Sequence, residues 1–324
     1  MAHPRPFHFG LVAGHPTSRE SWIAEARRVE AAGYSTLLLG DHISFGGPAP
    51  LLTLLSAADA TTRLRFGTHI LGVDFRNPLM LAQEVATFDL LSDGRLELGI
   101  GAGWLGLDYA ALGIPFDSGG TRIGRLAEAV TLLKQLTGDE PVTFAGEHFQ
   151  VRDAMLHVKP VQRPHPPLFI GGGSKRILAL AGREADIVGL NPKTTPAGQL
   201  DVATVTPEAT MQKIHWMREA AGPRFEQIEL NLLVNRIVVT NDRRRGLEEV
   251  AAWLAGFPST IVTNNQVSPE VLLQSPHFLV GSIEQIVADL QERRERYGIS
   301  YISMFVDPEA RAQVDRIIEG LSGT

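Results

Sequence analysis

Short apolar runs alternate along this chain with longer segments of helical periodicity, and this alternation constrains the fold more than any other feature. Runs without polar alternation are typical of parallel strands that are buried on both faces. We interpret eight runs as strands, at residues 7–13, 36–39, 64–73, 95–100, 168–170, 185–190, 228–239 and 299–305. Eight strands alternating with helices predict an α/β protein with a (β/α)8 TIM barrel, and an open doubly wound sheet is the competing architecture.

Helix-end signals support several of these boundaries. Asn77 is an N-cap candidate followed by Pro78, which suits the first helical position. Ser282 and Gln285 form a capping-box pattern at the start of the helix before the last strand. We predict one domain over residues 1–324. Three stretches interrupt the alternation of strands and helices and are predicted insertions: 104–120, 139–160 with a predicted hairpin, and 243–280.

Composition argues against several classes of protein. The 324 residues carry a net charge of −6, which gives no basic footprint for nucleic acid. No apolar stretch approaches the ~18 residues of a membrane span, and the chain contains no cysteine. None of the ten histidines has a spacing typical of a metal site. We therefore expect a cytoplasmic protein that acts on a small molecule, without a metal, nucleic-acid or membrane partner.

Polar and glycine residues concentrate where the predicted strands end. In a TIM barrel, unusual residues at the carboxyl ends of strands are typical of function. Asp41 and His42 follow the second strand, and an imidazole beside a carboxylate is suited to proton transfer near neutral pH. The alternative is a polar pair that only hydrogen-bonds nearby backbone. On the functional interpretation, His42 acts as acid or base and Asp41 orients it.

Two glycine-rich loops follow the fourth and fifth predicted strands. Residues 101–106 match the G-x-G-x-x-G pattern of dinucleotide sites, but that motif belongs to the first strand of a βαβ unit. We therefore favour glycines that let a flat ligand lie against the backbone. Three glycines at 171–173 precede Ser174 and a predicted helix. Free N–H groups at a helix start form an anion site, although a tight turn is the alternative.

Several of these runs together resemble a known family: the luciferase-like flavin and deazaflavin enzymes, and within them the coenzyme F420-dependent oxidoreductases. The resemblance extends over nearly the whole chain and is carried by residues 40–42, 67–70, 76–78, 101–104, 122–128, 159–162, 166–167, 171–173 and 181–186. It implies a TIM barrel with insertions, hydride transfer between F420 and an organic substrate, and a homodimer.

The same resemblance implies roles for individual residues. F420 would lie across the barrel mouth with Asp41 and His42 beside its reactive ring, and a non-prolyl cis peptide bond would join His69 to Ile70. The glycine loop after strand four would follow the ribityl chain, and the turn after strand five would hold the phosphate. The predicted contacts in these loops and at the next strand end are Gly101, Ala102, Gly103, Trp104, Gly172, Gly173, Ser174 and Asn191.

One departure from the family pattern limits the prediction. Some F420 enzymes carry a glutamate proton donor just past the glycines of strand four, where this chain has Trp104. This difference leaves His42 as the first candidate for acid–base chemistry and argues against a sugar-phosphate dehydrogenase. Two other functions stay open: an FMN-dependent monooxygenase of the same superfamily, and a non-catalytic flavin- or deazaflavin-binding protein.

Overall fold

The computed structural model describes residues 5–324, and in it eight parallel strands close into a barrel. Each strand pairs with its neighbour in sequence, and the last pairs with the first, so the sheet has no free edge. The predicted (β/α)8 barrel is confirmed. Its strands are β1 (His8–Val12), β2 (Thr36–Leu39), β3 (Arg65–Thr68), β4 (Leu96–Gly101), β5 (Leu168–Gly172), β6 (Ile187–Leu190), β7 (Glu229–Val234) and β8 (Ile299–Met304).

Helices surround this barrel, and the predicted caps are present. The Asn77 side chain accepts a hydrogen bond from the Leu79 amide at 2.9 Å, and Ser282 and Gln285 form a capping box. In residues 5–324, no helix is long and apolar enough to span a bilayer. The α-helices are α1 (Arg19–Ala31), α2 (Pro50–Ala58), α3 (Pro78–Leu91), α4 (Gly106–Leu112), α5 (Gly119–Leu136), α6 (Lys175–Glu184), α7 (Pro207–Ala221), α8 (Arg243–Ala255), α9 (Pro269–Gln274), α10 (Ile283–Tyr297) and α11 (Arg311–Leu321).

The single strand predicted over 228–239 is wrong, because the chain leaves the barrel after β7. The Asn235 amide donates to the carbonyl of His277 at 2.9 Å instead of continuing the barrel ladder. Arg236–Val239 then pairs in parallel with Phe278–Gly281 in a separate two-stranded sheet. Periodicity did not reveal this break, since apolar residues stand on both sides of Asn235 and Arg236 and resemble one continuous strand.

The three predicted insertions carry elements that lie outside the barrel order. The first holds α4, and the second holds an antiparallel hairpin of Val142–Ala145 with Gln150–Ala154. The third holds α8 and α9. Its apolar side chains form a hydrophobic cluster of their own, separate from the main cluster that fills the space between barrel and helices. The third insertion therefore has a small core beside the barrel.

Strands β3 and β4 approach each other closely, just before the predicted cofactor contacts begin. The Thr68 hydroxyl donates to the Gly99 carbonyl at 2.7 Å and accepts from the Gly99 amide at 2.9 Å. A Cβ atom on Gly99 would lie 1.8 Å from the Thr68 carbonyl oxygen. Glycine at position 99 is therefore needed for this spacing, which determines where His69 emerges at the mouth.

We predict that Gly99→Ala destabilises the protein. Because the added methyl group would meet backbone rather than a movable side chain, the free energy of unfolding should fall by about 1–3 kcal/mol or more. Gly320→Ala in α11 is the matched control, since a Cβ there has no neighbour within 4 Å. In a helix this control change should be neutral or stabilising by up to about 1 kcal/mol. Urea denaturation measures both, and equal stability of the two variants would contradict the close-approach argument.

Candidate active site

A cavity of about 1320 Å³ opens at the carboxyl ends of the barrel strands. All the residues proposed from the sequence lie on its wall, although they come from five different strand ends. They are Asp41, His42, His69, Ile70, Gly101, Ala102, Gly103, Trp104, Gly172, Gly173, Ser174 and Asn191. The fold thus brings together positions separated by up to 150 residues of sequence (residue 191 less residue 41).

His42 is held by a carboxylate that the sequence did not identify. Its Nδ1 lies 2.7 Å from Oδ2 of Asp108, which is buried in α4. The other oxygen of Asp108 accepts from the Ser44 amide at 2.9 Å and from the Ser44 hydroxyl at 2.6 Å. Because an ionised carboxylate only accepts hydrogen bonds, Nδ1 of His42 carries the proton. In the neutral ring, Nε2 is then the proton acceptor.

Asp41 has a different partner, so the predicted orientation of His42 by Asp41 is wrong. Its two carboxylate oxygens accept from the Arg76 guanidinium at 2.5 and 2.9 Å. Oδ2 also accepts from the Gly72 amide at 3.0 Å. A charge-assisted bidentate pair of this kind fixes geometry as well as charge. Asp41 therefore links the end of β2 to the segment after β3. These contacts fix the geometry of the cavity wall beside Asp41.

Sequence reasoning missed Asp108 because its contact with His42 is a tertiary one. The two residues are 66 positions apart, and the sequence predicts only an insertion over residues 104–120. The sequence did carry one signal: Asp108 is an acidic residue five positions after Gly103, in the segment that follows strand four. The pattern by itself does not say which histidine that carboxylate meets.

The peptide bond between His69 and Ile70 is cis, as the family resemblance implied. The His69 ring packs edge-on against Phe169, with centroids 5.3 Å apart. Burial at the barrel mouth, with a smaller contribution from the charge of neighbouring His42, lowers the pKa of His69 to about 4. His69 therefore presents a neutral imidazole at neutral pH.

Two glycines make room for the Ile70 side chain. A Cβ on Gly171 would lie 2.5 Å from Cδ1 of Ile70, and one on Gly101 would lie 3.3 Å from Cγ2. The glycine-rich ends of β4 and β5 thus surround Ile70 at the floor of the mouth.

The loop after β4 is fixed from below by a buried tyrosine. Gly103 has a φ of +70°, and a Cβ there would lie 2.1 Å from the hydroxyl oxygen of Tyr109. That hydroxyl donates to Asp74 at 2.8 Å, and Asp74 is paired with Arg125 at 2.7 and 2.9 Å. Trp104 follows in the same loop, and its ring lies edge-on to His42 with centroids 5.5 Å apart.

The start of α6 has the features of an anion site. Ser174 is its N-cap residue, but its side chain makes no capping hydrogen bond, so the first backbone N–H groups of the helix are not capped by it. Gly173 is essential to the turn, because a Cβ would lie 2.4 Å from the Pro192 carbonyl oxygen. Arg176 lines the cavity and reaches over Gly120 at the start of α5, whereas Lys175 is exposed and lies off the cavity wall.

A closed parallel barrel with a histidine–aspartate pair, a large cavity and uncapped helix N–H groups at one mouth is the arrangement of a barrel with a small-molecule site. Comparison with known proteins identifies the family. The model of the luciferase-like monooxygenase family matches residues 6–297, and the chain belongs to this family. The protein is therefore an oxidoreductase.

Two curated relatives and one solved structure show the range of this family. The chain is 33% identical over 259 residues to an F420-dependent glucose-6-phosphate dehydrogenase of Kineococcus radiotolerans, covering 78% of this chain and 74% of that protein. It is 35% identical over 311 residues to a 4-hydroxyprotoasukamycin monooxygenase of Streptomyces nodosus subsp. asukaensis, covering 88% and 81%. An F420-dependent secondary alcohol dehydrogenase in complex with an F420–acetone adduct superposes with a TM-score of 0.77 at 20% identity, covering 97% of this chain and 98% of that one.

Proposed function

We propose that this protein transfers a hydride between coenzyme F420 and an organic substrate, with His42 as the acid or base. The observation that carries the proposal is the His42–Asp108 pair at 2.7 Å on the wall of a cavity that also holds an anion site. Relatives that are named as F420-dependent dehydrogenases support the choice of cofactor.

The residues at the mouth fit a phosphorylated flavin-like cofactor. The N–H groups at the start of α6 and the Arg176 guanidinium would hold a phosphate, and Gly173 leaves the space for it. Bound F420 supplies a deazaflavin ring that accepts or gives a hydride. The residues that would contact the ring and its side chain are Asp41, His69, Ile70, Gly101, Ala102, Gly103, Trp104, Gly172, Ser174 and Asn191.

His42 would handle the proton that accompanies the hydride. When an alcohol is oxidised, its carbon loses a hydride and its hydroxyl loses a proton, which Nε2 of His42 accepts. The Asp108 carboxylate then stabilises the imidazolium through Nδ1, and it also keeps the ring in the tautomer that leaves Nε2 free to accept. In the reverse direction, the same nitrogen donates the proton to the carbonyl oxygen.

An FMN-dependent monooxygenase is the second candidate. The relative named as a 4-hydroxyprotoasukamycin monooxygenase favours it, since that similarity covers 88% of this chain. Trp104 stands where some F420 enzymes carry a glutamate, and this residue does not decide between the two cofactors. The non-catalytic alternative is wrong, because the family and its relatives identify an enzyme.

The cofactor proposal predicts the outcome of a direct titration. F420 should quench the tryptophan fluorescence of the purified protein with an affinity at least about tenfold higher than that of FMN, a difference of ~1.4 kcal/mol. Gly173→Ala should weaken F420 binding, because its Cβ would meet the Pro192 carbonyl oxygen at 2.4 Å. Gly14→Ala is the control, since a Cβ at position 14 has no neighbour within 4 Å. Tight FMN binding without F420 binding would instead establish the monooxygenase candidate.

The role of His42 predicts a loss of rate without a loss of cofactor. With saturating F420 and 2-octanol as a probe substrate, His42→Ala should lower kcat by about 10²–10⁴-fold, and added imidazole should restore part of it. Asp108→Asn should lower kcat and shift the protonated nitrogen of His42 away from Nδ1, as measured by ¹⁵N NMR. Full turnover by His42→Ala with bound cofactor would remove His42 from the mechanism, and an unchanged tautomer in Asp108→Asn would remove Asp108 as its positioning residue.

We also propose that the protein is a homodimer that pairs through α2 and α3, which pack against each other. Three apolar side chains on these helices are unusually exposed: Leu52 at 73%, Met80 at 57% and Leu91 at 58%. An apolar patch of this kind is typical of an interface. Sedimentation velocity should show a dimer that Leu52→Glu combined with Leu91→Glu converts to a monomer. Met211→Glu on α7, where the side chain is 44% exposed, should leave the dimer intact, and a monomeric parent protein would refute the proposal.

A further inference from the structure

The third insertion supplies a distinct part of the cavity wall, which we call the insertion lobe. Its lining side chains include Leu254, Phe257, Ile261 and Val262, and Val202 and Val205 from the segment before α7 line the cavity beside them. All six belong to the small hydrophobic cluster beside the barrel, either as buried members or packed against it. The inner surface of that cluster therefore faces the cavity.

No charged side chain of the insertion reaches this wall. Among residues 243–280 that line the cavity, every one is aliphatic, aromatic, proline or glycine. An anionic group placed against them would lose its hydration without gaining a partner, which is strongly unfavourable. The lobe is therefore suited to an uncharged, apolar group.

Arg236 is the cation of the cavity wall that lies beside this lobe. It pairs with Asp307 at 2.9 Å and with Glu249 at 3.3 Å, and its guanidinium lies 5.4 Å from the centroid of the Trp253 ring. Its positive charge is therefore already paired. Lys193 also lines the cavity, but its side chain is exposed to solvent.

We propose that the insertion lobe binds an extended aliphatic or alicyclic part of the substrate. This proposal deepens the proposed function and rests on it for the reacting group, which would be an alcohol or carbonyl at the His42 end of the cavity. The binding itself does not depend on cofactor or turnover. Each methylene transferred from water into such a lobe should strengthen binding by about fourfold.

Isothermal titration of the full chain with straight-chain alcohols tests the lobe without a reaction. From 1-hexanol through 1-octanol to 1-decanol, the Kd should fall by about fourfold per added methylene, with a negative heat-capacity change. Ile261→Asn places an amide on the lobe wall at a half-buried position. It should therefore weaken the binding of 1-decanol by about tenfold and that of 1-hexanol much less. Leu273→Asn is the matched control on α9, where the side chain is 45% exposed and off the cavity wall.

The outcomes separate this proposal from the proposed function. An affinity independent of chain length, or equal 1-decanol binding by Ile261→Asn and Leu273→Asn, overturns the apolar lobe. If the alcohols behave as expected while F420 does not bind, the lobe stands and only the F420 function fails. A far-UV circular dichroism spectrum equal to that of the parent protein shows that Ile261→Asn is folded.

Discussion

Closure of the parallel barrel is the constraint on which the rest of the structure depends. The hydrogen bonds between β8 and β1 join the ends of the sheet, and all eight strands run parallel around one axis. All the carboxyl ends consequently meet at one rim, and residues far apart in sequence share one cavity. The first and third insertions follow strand ends at this rim and contribute to the site: α4 brings Asp108 to His42, and the third insertion brings an apolar wall. The hairpin of the second insertion precedes β5 and lies off the cavity wall.

Asp41 and Asp108, two buried carboxylates at this rim, have separate roles, although the sequence predicts that Asp41 alone orients His42. A buried charge is tolerated only when it is paired and hydrogen-bonded. Asp41 meets that condition through Arg76 and the Gly72 amide, and Asp108 meets it through His42 and Ser44. The first pair is structural and joins two strand ends. The second includes a titratable ring on the cavity wall, and this is the pair suited to proton transfer.

Substrate choice in this architecture belongs to the insertions more than to the barrel. Strand ends and glycine turns form the part that fits a cofactor, and their geometry follows from tight backbone packing around Ile70 and Gly173. The lobe residues come from loops and helices that the barrel does not constrain, so they vary without disturbing the strands.

The sequence by itself determined the barrel, most strand positions and twelve of the residues on the cavity wall, because parallel strands and the glycines at their ends have strong local signals. The family resemblance also located the cis bond at His69–Ile70. Only the tertiary structure decided which carboxylate holds His42, where β7 ends, and that Arg176 and not Lys175 lines the cavity. These three depend on contacts between distant segments, and local patterns carry no information about which buried charge meets which partner.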